Sequence, residues 1–140
     1  MLAAKKIEQQ TISNMLLMRE HGEFIDEYLP QNSIDCMHIN FPDPWSKKSR
    51  RKHRILSADF LTKMHPFFRS GGELRFKTDH LEYFETVTEI LQKLENYKIV
   101  EHTTNLQMSN YIGNNILTEF EMLFKSKGNP PIGYLLAETL

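Results

Sequence analysis

Cysteine is nearly missing from this chain: Cys36 stands alone among 140 residues. One thiol excludes an internal disulfide and any zinc site built on several cysteines, and it suits a reducing compartment. Long apolar runs are missing too. None approaches the roughly 20 residues that a membrane helix needs, so a membrane is not an expected partner. The opening stretch MLAAKKIEQQTISN has no apolar segment of the signal-peptide kind, and a cytoplasmic location is expected. Glycine is scarce, with six residues and no GxGxxG or Walker arrangement. No Ser-His-Asp grouping or GxSxG stands out, and the six histidines show no metal-ligand spacing, so no metal is expected.

What remains is an ordinary soluble mix of 40% hydrophobic and 25% charged residues, enough for one folded domain spanning 1–140. Net charge is −1, but the charges are unevenly spread. Lys47, Lys48, Arg50, Arg51, Lys52 and Arg54 place six of the 17 basic residues within eight positions, with His53 among them. A concentrated basic patch on an otherwise acidic body suits local binding of a polyanion. A solvated face is the competing reading of the run taken alone.

Periodicity predicts helices over 2–11, 23–29, 57–68 and 81–96. It predicts strands over 15–18, 34–41, 73–79, 97–103 and 116–128, the last as a long closing strand. Alternating strands and helices argue for an α/β fold, a mostly parallel sheet with an antiparallel last strand at its edge. In such sheets ligands bind beyond the carboxyl ends of the strands. Asp43, in Pro42-Asp43-Pro44-Trp45, follows one strand end, and Thr78-Asp79 ends another. The two prolines fix φ and hold Asp43 rigidly, while Trp45 either stacks on a flat ligand or plugs the core. Asp79 either contacts a ligand or caps the helix that follows. Thr118-Glu119-Phe120-Glu121 places both glutamates on one strand face, which an exposed edge strand would also explain.

The stretch Asn40-Phe41-Pro42-Asp43-Pro44-Trp45-Ser46-Lys47-Lys48 with its basic continuation resembles the bacterial tRNA (guanine-N7-)-methyltransferases. Gly71-Gly72, Thr78-Asp79 and Thr118–Glu121 match later motifs of that family in order and spacing, so the resemblance covers essentially the whole chain. It implies a class I S-adenosylmethionine-dependent methyltransferase (Rossmann-like) sheet, with S-adenosyl-L-methionine as cofactor and tRNA as partner. It implies methyl transfer to guanine N7 in the tRNA variable loop. By the same resemblance Asp43 is the catalytic residue and touches the cofactor. Lys47, Asp79, Thr118, Glu119, Phe120 and Glu121 bind substrate, and Ser49, Arg50, Arg51, Lys52, His53 and Arg54 contact RNA. Ser46 replaces the family's usual proline. His21-Gly22 stands where the family often has Asp-Ala near the cofactor, making His21 a weak cofactor contact.

The family's first two strands, with their Gly-rich cofactor loop, have no counterpart here. The resemblance therefore implies a partial domain, and a separate chain carrying the missing region as a further partner. Three alternatives stay open: an amino-methyltransferase using the loop at Asn40–Trp45, an RNA-binding fragment or half of a split enzyme, and an inert fragment with an unpaired sheet edge.

Overall fold

The computed structural model describes residues 2–140. In chain order the elements are α1 (Leu2–Gln10), β1 (Ile34–Asn40), α2 (Ala58–Met64), β2 (Phe68–Thr78), α3 (Leu81–Lys93), β3 (Tyr97–Thr103), α4 (Glu119–Ser126) and β4 (Gly133–Thr139). The strands form one sheet in the order β1-β2-β4-β3. β1 and β2 pair in parallel, and β4 runs antiparallel to both β2 and β3. Three strands thus point one way and the last one opposes them, as the sequence predicts.

Period-two alternation divides the strands between the two faces of the sheet. On one face, Leu74 and Phe76 of β2 and Leu135 and Ala137 of β4 join Leu61 and Met64 of α2 and Tyr83, Phe84, Val87 and Leu91 of α3 in the main core. Each fully buried Leu, Val, Met or Phe among them contributes about 1.5–3 kcal/mol of hydrophobic stabilisation. On the other face a smaller cluster of Leu106, Ile132, Tyr134 and Leu136 packs against Phe41, Tyr111 and Phe124. Helix starts follow local chemistry: the Ser57 side chain accepts the Phe60 N–H at the head of α2.

The structure corrects four sequence expectations. Residues 116–128 are not a strand. Thr118 and Glu121 form a reciprocal capping box that opens α4, and this local bonding outweighs the partial alternation. The closing strand is Gly133–Thr139, whose near-continuous burial is that of a central strand, not an edge. Residues 15–18 form no strand, and Leu16 is 98% exposed. An apolar run of that length is extended only where it finds a ladder partner, and none stands beside it among the described residues. Residues 22–27 make a 3-10 turn rather than an α-helix, ending before Pro30.

Candidate active-site rim

The two parallel strands β1 and β2 end together, at Asn40 and Thr78, so the loops that follow share one rim. Pairing continues one step past the strand, with Phe41 N–H donating to the Lys77 carbonyl over 2.8 Å. The chain then turns through Pro42-Asp43-Pro44. Asp43 Oδ1 accepts the Trp45 backbone N–H at 2.9 Å, which closes the turn on the carboxylate itself. Phe41 and Trp45 bracket this turn with φ of +50° and +42°, backbone values that bulky residues avoid. Such positions cost of order 1–3 kcal/mol each and persist only where surrounding contacts enforce them.

Those contacts come from α3 and α4. Ser46 Oγ lies 3.2 Å from His80 Nε2. Because His80 Nδ1 accepts the Tyr83 N–H at 3.2 Å, the imidazole is the α3 cap and presents Nε2–H to Ser46. Asp79 therefore does not cap the helix. It is exposed at the rim, free for another role. Phe41 packs on Phe120 and Phe124 of α4, with ring centroids 5.0 and 5.8 Å apart.

The Thr118–Glu121 segment is reached by this route, but its residues divide. Glu121 is buried, and its carboxylate accepts from the Thr118 N–H at 2.8 Å, Asn115 Nδ2 at 2.9 Å and Lys77 Nζ at 3.2 Å. Burial alone would raise its pKa. These hydrogen bonds and the Lys77 charge overcome burial and hold it below the usual carboxylate range. Thr118 Oγ1 accepts the Glu121 N–H. As placed, Glu121 ties Thr118, Asn115 and Lys77 together at the head of α4. Glu119 is exposed and paired with Lys6, and Phe120 is partly exposed beside the rim. Lys77 is the residue the sequence reading missed. Nothing local marked it, because Lys77 takes the polar place in the alternation Glu73-Leu74-Arg75-Phe76-Lys77 and is buried by Ile116 and Glu121, about 40 positions away.

The basic run divides as well. A 3-10 turn over Lys48–His53 leaves Ser49, Arg50 and Lys52 exposed, with Lys47 at its head. Arg51 reaches Glu82 at 3.1 Å, and the His53 ring lies 5.3 Å from Trp45. Arg54 points inward with only 5% of its side chain exposed. A cavity of about 580 Å³ opens between His21, Trp45, His53 and Phe60.

His21 and Gly22 border that cavity, which is where the resemblance places part of the cofactor. A Cβ on Gly22 would lie 2.5 Å from Ile55 Cδ1, so a side chain there would have to displace the end of Ile55. Among the described residues no glycine occupies a strand-to-helix turn at this rim. The residues present do not by themselves make a holder for S-adenosylmethionine.

Comparison with known proteins agrees with the motifs. A family described as "Putative methyltransferase" matches residues 2–133. A bifunctional glycosyltransferase/methyltransferase of Fusobacterium nucleatum is 40% identical over 134 residues, covering 96% of this chain and 21% of that protein. The tRNA (guanine-N(7)-)-methyltransferase of Mycoplasma pneumoniae is 40% identical over 116 residues, covering 82% of this chain and 55% of the relative. The chain thus spans little more than half the length of that enzyme. Among solved structures, an rRNA methylase from Streptococcus thermophilus superposes with a TM-score of 0.62 at 17% identity, over 98% of this chain and 64% of that one. A "putative methyltransferase" from Streptococcus mutans, solved in complex with SAH, superposes at 0.59 and 15% identity, over 98% of this chain and 68% of that one. These likenesses show the Rossmann-like methyltransferase fold, and with the family match over nearly its whole length they establish that the chain belongs to this methyltransferase family, alongside relatives named tRNA (guanine-N(7)-)-methyltransferases.

Proposed function

We propose that this chain supplies the RNA-binding and guanine-binding side of an S-adenosylmethionine-dependent tRNA (guanine-N7-)-methyltransferase, acting on a guanine of the variable loop. The observation that carries the proposal is the shared rim. An Asp43 turn locked by its own backbone, an exposed Asp79 and an exposed basic turn meet where β1 and β2 end.

Guanine N7 carries an in-plane lone pair, so its methylation needs no general base. The task is alignment, which is proximity and orientation rather than proton transfer. The methyl donor supplies an electrophilic carbon. What this chain's residues do is hold the base. Asp43 Oδ1 is used by the turn, while Oδ2 of this exposed residue takes no hydrogen bond among the described residues and is left to accept from guanine N1–H and the 2-amino group. A carboxylate there also offsets the positive charge that the purine acquires. Lys47 and Asp79 flank it. Arg50 and Lys52 contact phosphates, which position RNA without reading its sequence. RNA of this kind is recognised through folded shape and exposed bases.

The test is calorimetric titration of the purified chain with S-adenosylmethionine, then methyl transfer to unmodified tRNA in the same preparation. Salt-sensitive tRNA binding by the chain supports the proposal, and absence of tRNA binding even at low salt sinks it. Where transfer is measured, Asp43→Ala is expected to abolish it while leaving tRNA binding intact.

A second reading is favoured by one observation: β1 is hydrogen-bonded to a strand on one side only among the described residues. In it the active enzyme is completed by a separate polypeptide carrying the cofactor loop. Adding the part of the Mycoplasma pneumoniae relative that this chain does not match would restore transfer if this reading holds. Full activity of the chain alone would refute it.

A further inference from the structure

Arg54 sits in the basic run but behaves unlike its neighbours. Its Nε donates to the Pro44 carbonyl at 2.7 Å. Its two terminal nitrogens meet both Glu82 oxygens, at 3.2 and 2.5 Å, in the bidentate geometry that suits a guanidinium. Its central carbon stands 4.6 Å above the Tyr83 ring. The whole group is withdrawn from solvent, and Glu82 carries a depressed pKa because Arg54 hydrogen-bonds it, although partial burial works against that.

The Pro44 carbonyl lies between Asp43 and Trp45, in the segment bracketed by two aromatic residues with positive φ. A turn so strained relaxes unless something outside it enforces its shape. Arg54 is placed to do this, because it ties the turn to the first turn of α3, directly after Asp79. Ser46–His80 makes a second tie to the same helix end.

We propose that Arg54 is a positioning residue and not a phosphate ligand: through Pro44 and Glu82 it locks the Asp43 turn in register with the Asp79 loop. The inference rests on the reading of Asp43 and Asp79 as guanine-binding, but its test does not need transfer activity. The chain has one tryptophan, Trp45, adjacent to the carbonyl that Arg54 holds. Its fluorescence reports directly on the turn.

The experiment compares the full chain with Arg54→Gln, Glu82→Gln and Arg50→Ala. Acrylamide quenching of Trp45 is measured well below the melting midpoint, and tRNA affinity is measured against salt. Arg54→Gln is expected to raise the quenching constant about twofold and to leave the salt slope unchanged. Glu82→Gln, which keeps Arg54 and removes the charge that anchors it together with Arg51, is expected to raise quenching in the same direction and covers the case in which Arg54→Gln does not fold. Arg50→Ala should do the reverse, lowering the slope by about one phosphate contact, roughly 0.7–0.9 in log-log terms, with quenching unchanged. The proposal is overturned if Arg54→Gln lowers the slope like Arg50→Ala, or if neither the Arg54 nor the Glu82 variant alters Trp45. Absence of tRNA binding by the parent chain would count against the proposed function alone, because the quenching comparison stands without RNA.

Discussion

Replacing Lys77 by methionine probes the most buried ion pair of the rim. Lys77 and Glu121 have side chains only 7% and 4% exposed. The lysine ammonium also donates to the Ile116 carbonyl at 3.0 Å. Methionine keeps much of the stem and removes the charge, leaving Glu121 ionised with the Thr118 N–H and the Asn115 amide as partners. Removing one member of a buried pair costs about 3–5 kcal/mol. Two surviving hydrogen bonds place this case at the lower end, about 3 kcal/mol. At this chain length that corresponds to a fall in Tm of roughly 10 °C. Since a domain has about 5–15 kcal/mol of stability in total, the variant still folds. The assay is thermal and urea unfolding at neutral pH, followed by circular dichroism. Adding Glu121→Gln to Lys77→Met removes the stranded charge, so the double variant should be more stable than the summed single effects by at least about 1 kcal/mol. A single variant melting within about 2 °C of the parent, or a double variant that simply adds, would refute the claim that this pair is desolvated and coupled.

Glu121 also sets an acid limit. Its pKa is depressed in the folded state, so its contribution is fully present above the ordinary carboxylate range and is lost as pH falls through the folded value. Urea midpoints should therefore drop below about pH 4.5, and less steeply in Lys77→Met. Tyr83→Phe removes the hydroxyl that accepts the buried Leu56 N–H at 3.0 Å, and should cost about 1–3 kcal/mol in urea unfolding. In Gly133→Ala the new methyl would lie 2.7 Å from the Phe84 ring, in a strand packed against α3. An overpacking loss of about 1–3 kcal/mol is expected by thermal melting, with no effect on Trp45 emission.

How much of this was legible in the sequence depended on whether local chemistry had a single answer. Ser57 before an apolar helical stripe is the observed cap of α2, and the two prolines around Asp43 mark the observed turn. Thr118–Glu121 carried two signals at once, alternation and a T-x-x-E box, and the box prevailed because its hydrogen bonds are made within the segment itself. The sequence offered Asp79 as the cap of α3, and the structure uses His80. The choice of His80 depends on Ser46, 34 positions away, which orients the imidazole. The division of the basic run is likewise non-local: Arg54 differs from Arg50 only because Glu82 and Tyr83 stand opposite it. β4 was missed because Tyr134–Ala137, a buried run without alternation, looks the same in a helix or a central strand.

The place of β4 between β2 and β3 has a consequence for how the protein is made. Both neighbours precede β4 in the chain, yet neither pairs with the other. During synthesis β3 has no sheet to join until residues 133–139 have left the ribosome. The β1–β2 pair, with Asn40 and Thr78 already side by side, can form earlier. The rim is thus expected to assemble first on an unfinished sheet, with β4 sealing it through contacts of long sequence separation, the slow kind. Translational pausing before residues 133–139 are made would prolong the interval in which β2 lacks its second neighbour, so the yield of folded protein should depend on codon speed near β4 far more than near β1.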